Sequence, residues 1–340
     1  MQNLSDPAIL FFVFGVLAGA LKSNLEIPPA IAKFLSLYLL MALGLKGGFA
    51  LAQSGFSGSV LQSLGAAVLM AFIVPAIGYQ FLKSRVSGFD AAAIAASYGS
   101  VSAVTFVTAM QYLEANQMPP GGHMAAAMVL MESPAIIIAV LLANRLRHQQ
   151  RTRAAQLISG VNVTADLQVD PVIDSGATPL RKILHESFTD GAQLLLLGAM
   201  VIGYVTGEKG MAVMAPFSID LFKGMLAFFL LDMGLMVAKN FSSVRGESPI
   251  LLAYATLGPL LHAGIALLLS MLLQLQTADA ALLMVLSASA SYIVVPAVLR
   301  YAIPEANPAL YFGLSLGVTF PLNLIFGIPF FTYVAKQVLG

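Results

Sequence analysis

The chain has 340 residues, of which 59 % are hydrophobic and 10 % charged, with a net charge of +1 and no cysteine. Soluble domains carry roughly a quarter charged residues, so this is the composition of an integral membrane protein, and its near-zero charge gives no reason to expect a nucleic-acid partner. The absence of cysteine excludes disulfides, thiolate metal sites and cysteine nucleophiles.

A bilayer core of about 30 Å needs roughly 20 apolar residues per helix. Ten stretches qualify, at 7–22, 30–46, 60–82, 88–112, 122–145, 188–206, 217–239, 248–274, 278–302 and 307–337, which predicts an all-α protein with ten transmembrane helices. The first begins behind Asp6 without a basic leader or a small-residue cleavage site, and so reads as a retained span. Twelve of the 17 Lys and Arg residues, from Lys22, Lys83 and Arg85 to Arg245 and Arg300, fall on one side if 146–187 is cytoplasmic. Positive charge prefers the inside, which puts both termini on the extracytoplasmic side.

Three features recur in the second half at offsets of 187 to 190 residues: Leu43-Gly44-Leu45 with Met233-Gly234-Leu235, Ser97, Ser100 and Ser102 with Ser287, Ser289 and Ser291, and Glu132-Ser133-Pro134 with Thr319-Phe320-Pro321. Five spans per copy make the second copy enter from the opposite face, giving two inverted five-helix repeats, 1–145 and 188–340, with a site near the midplane. The polar 146–187 segment, with Asp166, Asp170, Pro171 and Pro179, reads as a cytoplasmic linker or as a docking segment for a regulator.

Spans four and nine have polar centres, Ser97–Ser102 and Ser287–Tyr292. Backbone at membrane depth leaves helical bonding only where it lines a cavity or is buried. Breaks near Gly99 and Pro296 would cross at the midplane and point two half-helix N-termini at each other, an anion cradle that needs no Arg or Lys. The alternative is that these small residues simply allow close packing.

Glu132 is an ionisable residue deep in span five, a functional candidate on that ground alone. Its oxygens suit Na⁺ or a proton, and with Ser102, Thr105, Ser289 and the matched Thr319 and Asn323 they form the candidate cation set; the alternative is a neutral or tied carboxyl. Asp232 and His262 are weaker candidates, and His262 is open to a proton relay or a packing role. No Walker loop, HExxH helix or GxSxG elbow is present, so the chain reads as a non-enzyme whose uphill transport draws on an ion gradient.

At these residues the chain resembles the sodium-dependent bicarbonate transporter family best known from cyanobacteria. The likeness runs through all ten spans and is carried by Leu43-Gly44-Leu45-Lys46-Gly47-Gly48, by Tyr98–Ser102 with Thr105, Leu113-Glu114 and Pro119, by Glu132–Ala135 with Ala143-Asn144, by Pro259 and His262, and by Leu299-Arg300 with Ile303-Pro304 and Ala306-Asn307-Pro308. It implies a Na⁺-coupled symporter of bicarbonate in a bacterial cytoplasmic membrane, commonly a homotrimer, with a core domain from spans 3–5 and 8–10 and a gate domain from spans 1–2 and 6–7. It implies a substrate site between spans four and nine, on Tyr98, Gly99, Ser100, Val101, Ser102, Ser289, Ala290, Ser291 and Tyr292, with Na⁺ as coupling ion, no other cofactor, and a PII-like cytoplasmic regulator as partner. Two positions depart from the family pattern: Tyr292 stands where relatives carry an acid, and Glu132 where Asp is usual. Another small monocarboxylate as substrate, and a membrane anion sensor, are the competing readings.

Overall fold

The computed structural model describes residues 6–55, 57–159, 191–240 and 247–340. Among these residues the chain is helical without strands: α1 Pro7–Ala20, α2 Pro29–Ser54, α3 Gly58–Leu82, α4 Gly88–Gly99, α5 Ala103–Ala115, α6 Met124–Ser159, α7 Gly191–Ala215, α8 Phe222–Asn240, α9 Pro249–Leu272, α10 Thr277–Ala288 and α11 Val294–Ala302. A last helix, α12, covers Pro308–Leu339 and contains π-helical turns at Ser315–Thr319 and Asn323–Gly327.

Seven helical stretches among the described residues are long and apolar enough to cross a bilayer, fewer than the ten expected. The difference has three sources. Helix α1 has 14 residues, α10 stops after 12 at a break, and the expected spans 188–206 and 217–239 fuse into one 47-residue stretch. Gly207, at φ 53°, kinks that stretch where the first of the two was expected to end. Helix α6 runs to Ser159, so the expected linker starts as helix; 160–187 lie outside the described residues, as does Arg245. Hydropathy ended span five at 145 because Arg145–Arg153 are polar, yet Arg, Gln and Leu are good helix formers.

Glycine decides how α1, α2, α7 and α8 pack. A Cβ on Gly44 would overlap the Leu196 carbonyl oxygen and lie 2.7 Å from Ala199 Cβ; one on Gly48 would overlap the Met200 carbonyl oxygen. The α1–α8 pair repeats the arrangement, with Gly15 and Gly234 each against the other helix's backbone and Gly19 against Ala238. Without a hydrophobic drive between helices in lipid, such close backbone approach supplies the dispersion contact that holds them. Both pairs run parallel, and each joins a helix from the first 159 residues to one from the last 150.

The remaining helices enclose α4 and α10, whose residues Phe89–Gly99 and Asp279–Ala288 are buried apart from Asp90. Side-chain ties close the helix ends. On one side Ser87 Oγ, at the N-cap of α4, accepts the Asp90 N–H at 3.0 Å and donates to the Asp90 carboxylate at 2.6 Å, and Asp90 accepts the Asn307 N–H at 2.7 Å. Arg147 grips Glu305 through two hydrogen bonds of 2.7 Å. At the opposite ends of these helices, Asp279 accepts the Gly121 N–H (2.7 Å) and the Ser63 hydroxyl (3.3 Å) and faces His123 Nε2 at 3.1 Å.

The Arg147 hydrogen bond holds the Glu305 carboxyl below the usual carboxylate range. A carboxyl depressed in the folded state stabilises the protein above its unfolded value, ~4.3, and that contribution fades as pH falls through the folded value. Its side chain is 37 % exposed, so the effect is at most about 1 kcal/mol. Wild type should therefore melt a few degrees above Glu305→Gln at pH 7, and the gap should close towards pH 3.5 in detergent-solubilised protein; a gap constant across that range would contradict the pairing.

Candidate functional site

The polar centres of spans four and nine are breaks. Helix α4 stops at Gly99, Ser100 and Ser102 are extended (φ −96° and −97°), and α5 starts with Ser102 as its N-cap, its hydroxyl accepting from Thr105 N–H at 3.2 Å. Helix α10 stops at Ala288, Ser289 is extended (φ −81°, ψ 167°), and α11 begins at Val294. There Ser291 Oγ, two residues before the Ile293 N-cap, accepts the Val295 N–H at 3.3 Å, so the matched serines 102 and 291 each take a free N–H in the first turn of matched half-helices. Gly99 marks its break, although its role is steric: a Cβ there would meet the Pro75 ring at 2.7 Å. Pro296 does not mark the other. It lies in the first turn of α11, where its missing N–H leaves no bond unmade, and the break precedes it at 289–293.

The two breaks cross and hold each other. Ser291 N–H donates to the Ser97 carbonyl (2.7 Å) and Ser97 Oγ to the Ser291 carbonyl (2.5 Å), while Ser102 N–H donates to Ser289 Oγ (3.0 Å). Backbone groups freed by the breaks are thus paired across them, as burial demands. Ser289 in turn donates to the Leu286 carbonyl at 2.7 Å. Asn323 Nδ2 donates to the Ala288 carbonyl at 2.7 Å, satisfying the last residue of α10. Pro259 cannot donate to the Ala255 carbonyl one turn back, and Thr319 Oγ1 donates to that oxygen instead, at 2.8 Å. The Thr319 proton being committed, the 2.6 Å contact with Tyr98 is donated by the phenol.

A cavity of about 50 Å³ opens at the crossing, lined by Val101, Ser102 and Ala103, by Glu132 and by Ser291, Tyr292, Ile293 and Val294, with Ser36 and Leu40 of α2 closing it. It has room for a few waters or small ions. Both half-helix N-termini, α5 and α11, reach it, and so does a carboxylate that is 5 % exposed. An anion is favoured at the amide ends and a cation at the carboxylate, so the cavity suits an ion pair better than either ion alone.

The structure therefore brings together Val101, Ser102, Glu132, Ser291 and Tyr292 from the expected set. Ala290 and Ser289 are buried beside them, and Ser100 and Thr105 are buried with hydroxyls that have no partner among the described residues. Thr319 and Asn323 line a different space, an apolar groove of about 840 Å³ with Pro259, Phe326 and Phe330. Tyr292 is 3 % exposed, its ring 5.2 Å from that of Phe320 and its hydroxyl on Met233 Sδ at 3.9 Å; the ring fills volume that an acid would leave open. His262 is fully buried 6.3 Å from the Tyr254 ring, and Asp232 is buried on α8; neither lines the cavity at the crossing.

Sequence reasoning missed Ser36 and Leu40, which belong to an apolar run, and the 3.2 Å pair of Lys46 with Glu114, whose members are 68 residues apart. Lys46 also sits 4.5 Å over the Phe222 ring. Among the described residues there is no group of three or more His, Cys, Asp and Glu that could hold a metal ion. No individual curated protein matches the chain. One family model matches residues 7–336, nearly the whole length, and with it the chain belongs to the Na⁺-dependent bicarbonate transporter superfamily.

Proposed function

We propose that the protein is a secondary active symporter moving bicarbonate with Na⁺ across a bacterial cytoplasmic membrane by alternating access. The observation that carries this reading is the cavity at the crossing, where two half-helix N-termini and the Glu132 carboxylate meet. Bicarbonate takes the amide ends and the Ser102 and Ser291 hydroxyls; Na⁺ takes Glu132 with Ser102, and Thr105 and Ser289 stand close behind. Thr319 and Asn323, expected as cation ligands, donate to the Ala255 carbonyl of α9 and the Ala288 carbonyl of α10, and we leave them out of the proposed cation set. Binding the two ions side by side makes each raise the other's affinity, which is the coupling a symporter needs.

Ten spans in two inverted repeats remain the topology we favour, with 188–340 repeating 1–145. The matched serines Ser102 and Ser291 support it, as do the two parallel glycine-packed pairs. Spans 1, 2, 6 and 7 then form a gate, and the helices around the breaks form a core that moves against it. The homotrimer and the PII-like cytoplasmic regulator come from the family resemblance.

The test is uptake into proteoliposomes, with labelled bicarbonate or small organic acids and with Na⁺ or choline outside. Bicarbonate uptake that requires Na⁺ is expected; equal uptake in choline would overturn the coupling, and preference for an organic acid the substrate. Ser102→Ala and Ser291→Ala each remove the acceptor of a first-turn N–H and a cavity hydroxyl, and should weaken apparent bicarbonate affinity roughly 5- to 150-fold, the range for about 1–3 kcal/mol. Half-saturation within twofold of wild type in both variants would remove the hydroxyls from the site.

A further inference from the structure

A second polar cavity, of about 290 Å³, lies at the far end of α5 from the crossing. Its walls include Asp6 at the start of α1, Thr108, Gln111, Tyr112 and Asn116 at the end of α5, and Leu226 on α8. Helix α5 begins at the crossing with Ser102 as its cap and spans 13 residues, about 20 Å at 1.5 Å per residue. One helix therefore connects the two cavities.

Oxygen chemistry dominates this vestibule. Among the described residues no Lys, Arg or His lines it. Asp6 uses Oδ1 to accept the Ala8 N–H at 2.8 Å, and a carboxylate has capacity for further partners. Thr108 donates its only proton to the Val104 carbonyl at 2.9 Å, so its oxygen is left as an acceptor. Gln111 is 9 % exposed and lines the vestibule, where its side-chain carbonyl oxygen can serve as a ligand. The C-terminal end of α5 adds the negative pole of its dipole. All of these favour a desolvated cation over an anion.

Thr105, Thr108 and Gln111 follow one another at three-residue spacing, on neighbouring positions of the α5 surface. Thr105 is 1 % exposed with an unpartnered hydroxyl, and stands between the vestibule and Ser102. We infer that the vestibule is a loading site for the coupling alkali cation, from which Na⁺ passes along Thr108 and Thr105 to the crossing. The inference rests on the Na⁺-symport reading and adds a second cation position to it, remote from Glu132.

Two measurements test it: equilibrium binding of radioactive Na⁺ to the purified protein, and the sodium concentration giving half-maximal bicarbonate uptake. Gln111→Leu removes an oxygen ligand, and Asp6→Asn removes the charge while keeping a residue that caps helices equally well. Each should raise the sodium half-saturation roughly 5- to 30-fold, with bicarbonate half-saturation at saturating Na⁺ unchanged. Gln111→Glu, of the same size, should lower it, which keeps the test valid if the leucine variant does not fold. Sodium half-saturation within twofold of wild type in Asp6→Asn and Gln111→Glu would overturn the inference while the symport reading stands. A shift in bicarbonate rather than sodium half-saturation would assign the vestibule to the anion and overturn it too. Wild-type uptake indifferent to Na⁺ would overturn both.

Discussion

Glu132→Gln should abolish sodium stimulation of uptake while leaving the protein in the membrane at near wild-type abundance. Glutamine keeps the shape and most of the hydrogen-bonding capacity of the side chain, so α6 should pack as before. What it loses is the one negative charge on the wall of the crossing cavity. A cation there faces two helix N-termini whose partial charges repel it, and without the carboxylate nothing offsets that repulsion or its lost hydration. Breaking a buried charge pair costs about 3–5 kcal/mol, which in sodium affinity is roughly 150- to 5,000-fold. The measurement is uptake against sodium concentration, with abundance followed in parallel. Half-maximal stimulation at the wild-type concentration would assign Glu132 to helix packing.

Gly48→Leu should prevent the protein from assembling. The added Cβ overlaps the Met200 carbonyl oxygen and lies 2.7 Å from Tyr204 N, both backbone atoms of α7. Ordinary overpacking costs about 1–3 kcal/mol because side chains shift; here only separation of two helices relieves the clash, with loss of the α2–α7 contact. Gly234→Leu should do the same to α1 and α8, where the Cβ meets the Phe12 carbonyl oxygen. Gly198 on α7 and Gly264 on α9 have nothing within 4 Å of an added Cβ, so leucine there should be tolerated. Size-exclusion profiles of fluorescent fusions would separate the two classes. A monodisperse Gly48→Leu peak at wild-type yield would contradict the packing.

The breaks were legible because a serine-rich centre inside an apolar run has no reason to be there unless the backbone needs company. Their positions were less so. Proline suggested a break at 296, whereas the non-helical residues 289–293 come first and Pro296 serves the first turn of α11. Glu132 stood out as a charge among apolar residues. Gln111 did not, since one amide in a mixed helix carries no period, and only the cavity around it gives it meaning. Lys46 was readable as a charge at a span end, but its pairing with Glu114 is a tertiary event. Gly44 and Gly48 stood out only within the Leu43–Gly48 segment, and Gly15 and Gly19 not at all; that each pair meets the other half of the chain was not legible, because spacing names a face and never its partner. An oxygen contributed singly by a distant helix, such as that of Ser36 on α2, leaves no spacing to find.

The two glycine-packed pairs also govern how the chain is made. During synthesis α1 and α2 emerge long before α7 and α8, and until then Gly15, Gly19, Gly44 and Gly48 expose bare helical backbone with no surface shaped to receive it. The first half is therefore a waiting intermediate rather than a finished module, dependent on lipid or on the insertion machinery to keep those faces from the wrong neighbour. Expressed alone, either half should be short-lived; expressed together as two polypeptides, they should rescue one another.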